Sequence, residues 1–356
     1  MPTPFDRQSA FSGTGEADIP LAALESYLQR GLEGFDGPLS ARKFKGGQSN
    51  PTYRLTTPTV SYVLRRKPSG ALLPSAHAIE REHRVILALH GRGFPVARPL
   101  LLCEDPSIIG SSFYMMEHME GRIFWEPWAP GLSGEERRAL FASLNGTIAK
   151  LHNFDPAALG LSDFGKAGNY VGRQVKRWSE QYRASETEII PEMGRLIEWL
   201  PGAAPADAMQ SVVHGDFRLD NVIVHPAEPR VIAVLDWELS TLGDPLADFT
   251  YHLMSWFMPK LADGFGIGSL LGHETEAGIP ALQDYIAEYC RLTNRSGIAD
   301  LDMYLAFNFF RLAAILQGIA GRVRDGTATN RHALDMAKQV KPLAETAWRF
   351  AERAGA

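Results

Sequence analysis

The chain has 356 residues, a net charge of −5, 45% hydrophobic and 22% charged residues, which is the balance of a globular protein and carries no basic stripe for nucleic acid. No run of about 18 uninterrupted apolar residues predicts a membrane span, and two cysteines, Cys103 and Cys290, are too few for a disulfide framework or a zinc site, which points to a reducing compartment. The opening MPTPFDRQSAFSGTGEADIP lacks the charged-then-apolar order of a signal peptide, so residues 1–20 are expected to be a mobile tail and the protein cytoplasmic. The length suits two lobes, expected over residues 21–118 and 119–356.

In chain order, Leu21, Leu24, Leu28 and Leu32 have helical spacing, stopped by the glycines at 31 and 34. Strands are predicted at Leu39–Lys45, Thr52–Leu55 and Ser61–Arg66. Between the first two lies Gly46-Gly47-Gln48-Ser49-Asn50, where a glycine pair permits close backbone approach to a ligand, or forms a plain hairpin turn. The third strand carries Arg65, with Lys67 on the same face two residues on. A helix is predicted over Ala76–His90, with Glu80 and Glu82 in its first half and Glu82 nearer the buried stripe of Val85 and Ile86. Pro99–Cys103 and Ser112–Glu117 read as two further strands, and Glu117-His118-Met119-Glu120-Gly121 then breaks the pattern.

Ser133 and Glu136 form a capping-box signature opening a long helix to Asn153. A second helix, Tyr170–Arg183, has a basic and aromatic face with Arg173, Lys176 and Arg177, suited to an anionic acceptor or simply to solvation. Ile189–Leu200 is a third helix. Then comes the stretch that carries the chemistry, SVVHGDFRLDNVIVHPAEPRVIAVLDWE from Ser211 to Glu238. Short β-branched runs at Ser211–Val213, Val222–Val224 and Val231–Leu235 enclose a polar loop and a proline-bearing turn. Carboxylates at the ends of apolar strands are costly to desolvate unless a metal or a donor compensates them. His214, Asp216 and Asn221 fit H-x-D-x-x-x-x-N, and Asp236 follows one hairpin later. After Asp236, Phe249–Phe257 is apolar, Asp263–Gly278 is glycine-rich and expected to be a mobile lid, and helices are predicted at Ile279–Thr293, Leu301–Arg324 and Thr329–Ala354.

With HGDFRLDN in place of an HRD loop and LDWE in place of DFG, the chain resembles the aminoglycoside phosphotransferase branch of the protein-kinase-like fold, and Gly243-Asp244-Pro245 with Asp248 continues the likeness. More narrowly, GGQSNPTY, YVLRRKP, GFPVARP, FYMMEHMEGRIFW and VIAVLDWELSTLGDPLAD resemble the kinase-like N-terminal domain of the long-chain acyl-CoA dehydrogenase family members ten and eleven. The resemblance implies an α+β fold with a small β-sheet lobe and a larger helical lobe. It implies ATP with Mg²⁺, and transfer of the γ-phosphoryl group to a small-molecule hydroxyl. Asp216 would be the base or orienting carboxylate, Asn221 and Asp236 the metal ligands, and Asp248 a structural acceptor for loop N–H groups. Gly46, Gly47, Ser49 and Asn50 would cover the nucleotide. Arg65, or Lys67, would take the place of the usual strand lysine and pair with Glu82, while Glu117 and Met119 would lie in the adenine hinge. Tyr170, Arg173, Arg177 and Arg218 are the acceptor-site candidates. The narrower likeness implies a 4-hydroxyacyl-CoA acceptor, in a stand-alone kinase with no dehydrogenase domain after Ala356 and no flavin. The alternatives are an aminoglycoside, choline or sugar kinase of the same fold, and a nucleotide-binding pseudokinase serving as an interaction module. No nucleic-acid or membrane partner is expected.

Overall fold

The computed structural model describes residues 15–16, 18–44, 50–68, 78–205, 209–259, 268–273, 275–327 and 333–356. The expected glycine loop with Gly46, Gly47 and Ser49 lies outside the described residues. The chain divides into two compact units: residues 1–123 together with 222–240, and residues 124–221 together with 241–356. The Val222–Ser240 segment, placed in the larger lobe by the sequence reading, thus joins the smaller unit.

The first unit is built on a six-stranded antiparallel sheet in the order β1-β2-β3-β4-β6-β5, from β1 (Gly15–Glu16), β2 (Ser40–Lys43), β3 (Thr52–Thr56), β4 (Ser61–Arg66), β5 (Pro99–Cys103) and β6 (Phe113–Glu117). Alternation buries Tyr53 and Leu55 of β3 and Tyr62 and Leu64 of β4 on one face. Helix α1 (Leu21–Gly31) adds Leu24 and Leu28, which its 3.6-residue period brings to the same side. The end of the expected tail is tied down: Gly15 and Glu16 pair with Lys43 and Arg42, and Asp18 accepts from Tyr53 and from Arg66 Nη2 at 3.1 Å. Helix α2 (Ile79–His90) turns Glu82, Val85, Ile86 and Leu89 inward. The hairpin β8 (Val222–Val224) and β9 (Val231–Val234) docks through Val234 N–H to the Pro95 carbonyl at 2.8 Å and through the Trp237 ring, edge-on to Phe94 at 5.8 Å.

The second unit is helical around one short antiparallel pair, β7 (Ser211–Val213) and β10 (Thr241–Gly243). Helix α3 (Gly134–His152) opens with the expected capping box: Ser133 Oγ accepts Glu136 N–H at 3.3 Å and Glu136 Oε2 accepts Ser133 N–H at 2.8 Å. Then follow α4 (Tyr170–Ser185), α5 (Pro191–Ala203), α6 (Pro245–Leu253), α7 (Leu282–Leu292), α8 (Leu301–Arg324), α9 (Ala333–Ala337) and α10 (Val340–Arg353). α8 is long and apolar enough to cross a membrane, yet 83% of its apolar window is buried, against α4, α5, α6, α9 and α10. It is the core helix of this unit. The single helix expected over Thr329–Ala354 is two. Pro342 has no N–H for the 338 carbonyl and its ring crowds that carbonyl, so the helix restarts at Val340. Of the expected lid, residues 263–267 and 274 lie outside the described residues. Its described part is pinned by Ser269 Oγ to the Met258 carbonyl at 2.7 Å, by Leu270 N–H to the Ser255 carbonyl at 2.8 Å, and by Arg137 to the Ala277 carbonyl.

Candidate active site

Arg65 stands one residue before the end of β4 with its side chain almost wholly buried, and three carboxylates surround it. Its Nε lies 2.9 Å from Glu82 Oε2, and its Nη2 lies 2.8 Å from Asp236 Oδ1 and 3.4 Å from Glu238 Oε2. Glu82 also accepts Asn50 Nδ2 at 2.7 Å and the Tyr114 hydroxyl at 3.2 Å. Lys67 instead pairs with Glu80 at 2.9 Å, nearer solvent. The choice of Arg65 with Glu82 is therefore met by a direct contact. Glu238 is a third acid that the sequence reading passed over, although it stands two residues after Asp236 in the LDWE segment.

Burial and the two neighbouring acids outweigh Arg65 and push the Glu82 carboxyl up to about 7. Burial works against the Arg65 charge, but Glu82 and the acids beside it hold its pKa above the ordinary value. One guanidinium against three carboxylates leaves an acidic surplus. Asp236 adopts a left-handed backbone, φ 64°, which a non-glycine residue rarely holds without a use for it, and its side chain is 37% exposed. Among the described residues no group of three His, Cys, Asp or Glu side chains forms a self-sufficient metal cage. Mg²⁺ characteristically uses one or two carboxylates and completes its shell with phosphate and water, which this donor set suits.

In the second unit, β7 delivers the chain into the loop His214–Asn221. Gly215 has φ 86°, a value that favours glycine, and turns the loop sharply before Asp216. Asp248, in the first turn of α6, receives the loop backbone: its Oδ2 accepts His214 N–H at 2.7 Å and its Oδ1 accepts Gly215 N–H at 2.8 Å. Its Oδ2 also meets His152 Nε2 at 3.1 Å, and His152 Nδ1 meets the Tyr289 hydroxyl at 2.7 Å. Burial alone would raise the Asp248 carboxyl, but His152 and the loop donors hold it below the ordinary carboxylate value. The expected structural role of Asp248 thus takes the form of two hydrogen bonds to the loop backbone. Asp244 caps α6 by accepting Leu246 N–H at 2.8 Å, with Pro245 at the first helical position.

Asp216 is held by its own loop. Its Oδ2 accepts Asn221 Nδ2 at 2.9 Å, and the same nitrogen donates to the Asp216 carbonyl at 2.8 Å. The Asn221 nitrogen is thereby committed, and its amide oxygen is the atom left to act as a ligand. Asp216 Oδ1 accepts the Tyr251 hydroxyl at 2.7 Å. Arg218 bridges Asp216 at 3.1 Å and Asp220 at 3.2 Å.

The remaining candidates fare differently. Tyr170 is 7% exposed, its ring against Gly243, where an added Cβ would stand 3.0 Å from it. Arg173 donates to the Ala167 and Lys166 carbonyls at 3.1 and 2.8 Å, clamping the chain before α4. Tyr170 is thus buried under β10, and Arg173 is engaged with the chain ahead of α4. Arg177 covers the Trp178 ring at 5.2 Å. An open groove of about 710 Å³ between α4 and α5 is lined by Val175, Ile197 and Pro201, with Lys176, Glu180 and Arg183. In the first unit, Glu117 Oε1 accepts Arg98 N–H at 2.8 Å and its own N–H goes to the Arg98 carbonyl at 3.0 Å, so its amide is engaged in the sheet; Met119 follows just beyond β6.

The family model described as "Phosphotransferase enzyme family" matches residues 40–290. Acyl-CoA dehydrogenase family member 10 of Mus musculus is 46% identical over 342 residues, covering 95% of this chain and 32% of that protein. Acyl-CoA dehydrogenase family member 11 of Gallus gallus is 44% identical over 337 residues, covering 93% and 43%. The chain therefore spans less than half the length of these curated relatives. A crystal structure of a putative aminoglycoside phosphotransferase from Ralstonia eutropha superposes with a TM-score of 0.84 at 49% identity, covering 94% of this chain and 99% of that one. Spectinomycin phosphotransferase, crystallised with ADP and spectinomycin, matches with a TM-score of 0.63 at 14% identity over 94% and 99% of the two chains, a likeness of fold. The sheet unit and the helical unit together have the aminoglycoside phosphotransferase, protein-kinase-like architecture.

Proposed function

Because the chain belongs to the phosphotransferase enzyme family, we propose that it moves the γ-phosphoryl group of ATP to the hydroxyl of a 4-hydroxyacyl-CoA. The observation that carries the transferase half of this reading is Asp216. Its carboxylate is fixed at both oxygens and its loop is held by Asp248, an arrangement suited to orienting an attacking hydroxyl and accepting its proton. Arg65 serves the nucleotide phosphates, with Glu82 behind it. Asp236 and the Asn221 oxygen are the groups that would hold Mg²⁺, whose charge would offset that of the transferring phosphoryl group. Asn50, the last residue of the glycine segment, donates to Glu82 of that pair.

The acceptor half rests on the relatives, whose names place them with acyl-CoA chemistry, and on the α4–α5 groove. Its apolar lining with Lys176 and Arg183 suits an acyl thioester carrying phosphates. An aminoglycoside kinase is the second reading, favoured by the description of the 49% identical structure. A polycationic acceptor would want more acids than Glu180, which this groove sets between Lys176 and Arg183. The test is a panel in which ADP release is followed with 4-hydroxyacyl-CoA, 3-hydroxyacyl-CoA, the free hydroxy acids, choline, sugars and aminoglycosides. Turnover of the CoA thioester and not of the free acid is the expected result. Turnover of an aminoglycoside alone would replace the acceptor and keep the transferase.

A further inference from the structure

The Asp216 carboxylate is held by an element that the catalytic loop itself does not supply. Tyr251 stands on α6, one turn after Asp248, and its hydroxyl donates to Asp216 Oδ1 at 2.7 Å. The same short helix therefore grips the loop twice, through its backbone at His214 and Gly215 and through the side chain of Asp216. Tyr251 is 5% exposed, so water does not readily replace its hydroxyl. Behind it lies Arg311 of α8, whose guanidinium carbon is 5.2 Å from the Tyr251 ring centre and whose Nη2 donates to the Gly215 carbonyl at 2.8 Å. Arg311 is 6% exposed, its Nε has no hydrogen-bond partner, and among the described residues no carboxylate comes within ion-pairing distance of it. A buried cation without a counter-ion is an expensive feature. Among the described residues its compensation is a ring face and one loop carbonyl, both next to Asp216.

We propose that Tyr251 is a positioning residue for phosphoryl transfer, fixing the rotation of the Asp216 carboxylate, and that Arg311 seats the Tyr251 ring and the Gly215 carbonyl together. The inference rests on the reading of Asp216 as the carboxylate that meets the acceptor hydroxyl. The competitor is Arg218, whose Nε already lies 3.1 Å from Oδ1 while its Nη2 is drawn to Asp220. Without the tyrosine hydroxyl, Oδ1 has Arg218 alone, and the carboxylate turns toward that fork and away from the geometry that proton acceptance needs. Tyr251 exchanges no proton with substrate in this account.

The experiment is steady-state kinetics with Mg·ATP and 4-hydroxyacyl-CoA, or the panel compound that replaces it, on Tyr251→Phe, Asp216→Asn, their double variant and Arg311→Lys. Tyr285→Phe is the control; it removes another buried hydroxyl of this unit, one that bonds His252 Nε2 at 2.8 Å. Tyr251→Phe should lower kcat by ~10–10²-fold, the scale of a small misplacement of a reacting group, with the KM for ATP within about twofold and a melting temperature near that of Tyr285→Phe. Arg311→Lys, which keeps the charge and loses the fork, should move kcat the same way. In the Asp216→Asn background Tyr251→Phe should change nothing further, because the residue acts through Asp216. An unchanged kcat in Tyr251→Phe, or a fall of the same size when Asp216 is already Asn, overturns the proposal. Full activity in Asp216→Asn alone would instead overturn the reading of Asp216.

Discussion

Arg65 and Glu82 meet at 2.9 Å in a nearly dry setting, while Lys67 and Glu80, each two residues away, form a second pair at the same distance nearer solvent. The two pairs are not equivalent, since only Arg65 reaches on to Asp236 and Glu238. Arg65→Lys substitutes one point charge for a fork that spans three carboxylates, and it should weaken Mg·ATP binding by about tenfold, on the order of a lost charge-assisted hydrogen bond. Lys67→Ala should shift that affinity by less than about twofold, the scale of an exposed pair. Calorimetric titration of both variants decides between the two cations, and the larger loss at Lys67 would move the phosphate role there.

Asp216 and Asp236 should fail differently. Asp236→Asn removes the charge proposed to meet the metal, so Mg·ATP affinity should fall. Asp216→Asn leaves nucleotide binding close to wild type and slows transfer by ~10²–10⁴-fold, the range for a general base. Equal losses of nucleotide affinity in the two variants would contradict the separation of roles.

Asp248 accepts two loop N–H groups and faces His152 from a buried position. Asp248→Ala leaves those donors without a partner, and breaking a buried charged network of this kind costs about 3–5 kcal/mol. Urea unfolding should show it, with transfer activity lost in the fraction that stays folded. Asp248→Asn should fall between, since its amide oxygen can serve only one of the two N–H groups well while its NH₂ faces the other.

His252 sets an acid limit. Burial pushes its imidazole down to about 4 from the ordinary 6.5. A depressed value means the folded state favours the neutral ring, so the stabilisation is whole above about pH 6.5 and is lost as pH falls through 4, to a total of about 3 kcal/mol. Wild type should therefore lose more stability between pH 7 and pH 4 than His252→Gln, read as the change in urea midpoint. Identical acid sensitivity in the two proteins would remove His252 from the account.

Local signals read well from the sequence wherever one element decides them. The strand slot of Arg65, the inward face that singled out Glu82 over Glu80, the Ser133–Glu136 box and the hairpin ahead of Asp236 are all short-range patterns. The roles proposed for Asp216, Asn221 and Asp236 rest on the family resemblance of HGDFRLDN and LDWE. Periodicity could not show what meets across long separations. The bond of Tyr251 to Asp216, the reach of Arg311 to Gly215 and the turn of Arg173 back onto the chain before α4 depend on packing that no window of sequence contains. Tyr170 misled for a related reason: aromatic residues beside arginines look alike whether they line a surface or sit under Gly243. The split of the last helix was legible in principle, because Pro342 was in plain view.

The smaller unit takes residues up to Ile123, gives way to the larger one, and resumes at Val222 for the hairpin that carries Asp236. During synthesis, the sheet and α2 thus emerge long before the strand pair that completes them. Until Ser240 is made, Arg65 and Glu82 stand without their third partner, and Phe94 and Pro95 wait for Trp237 and Val234. A nascent chain that contains the whole sheet is therefore unfinished, and vectorial folding from the N-terminus cannot close this unit on its own. The His214–Asn221 loop waits longer still, because Asp248, Tyr251 and Arg311, which hold it, are all made after Ser240.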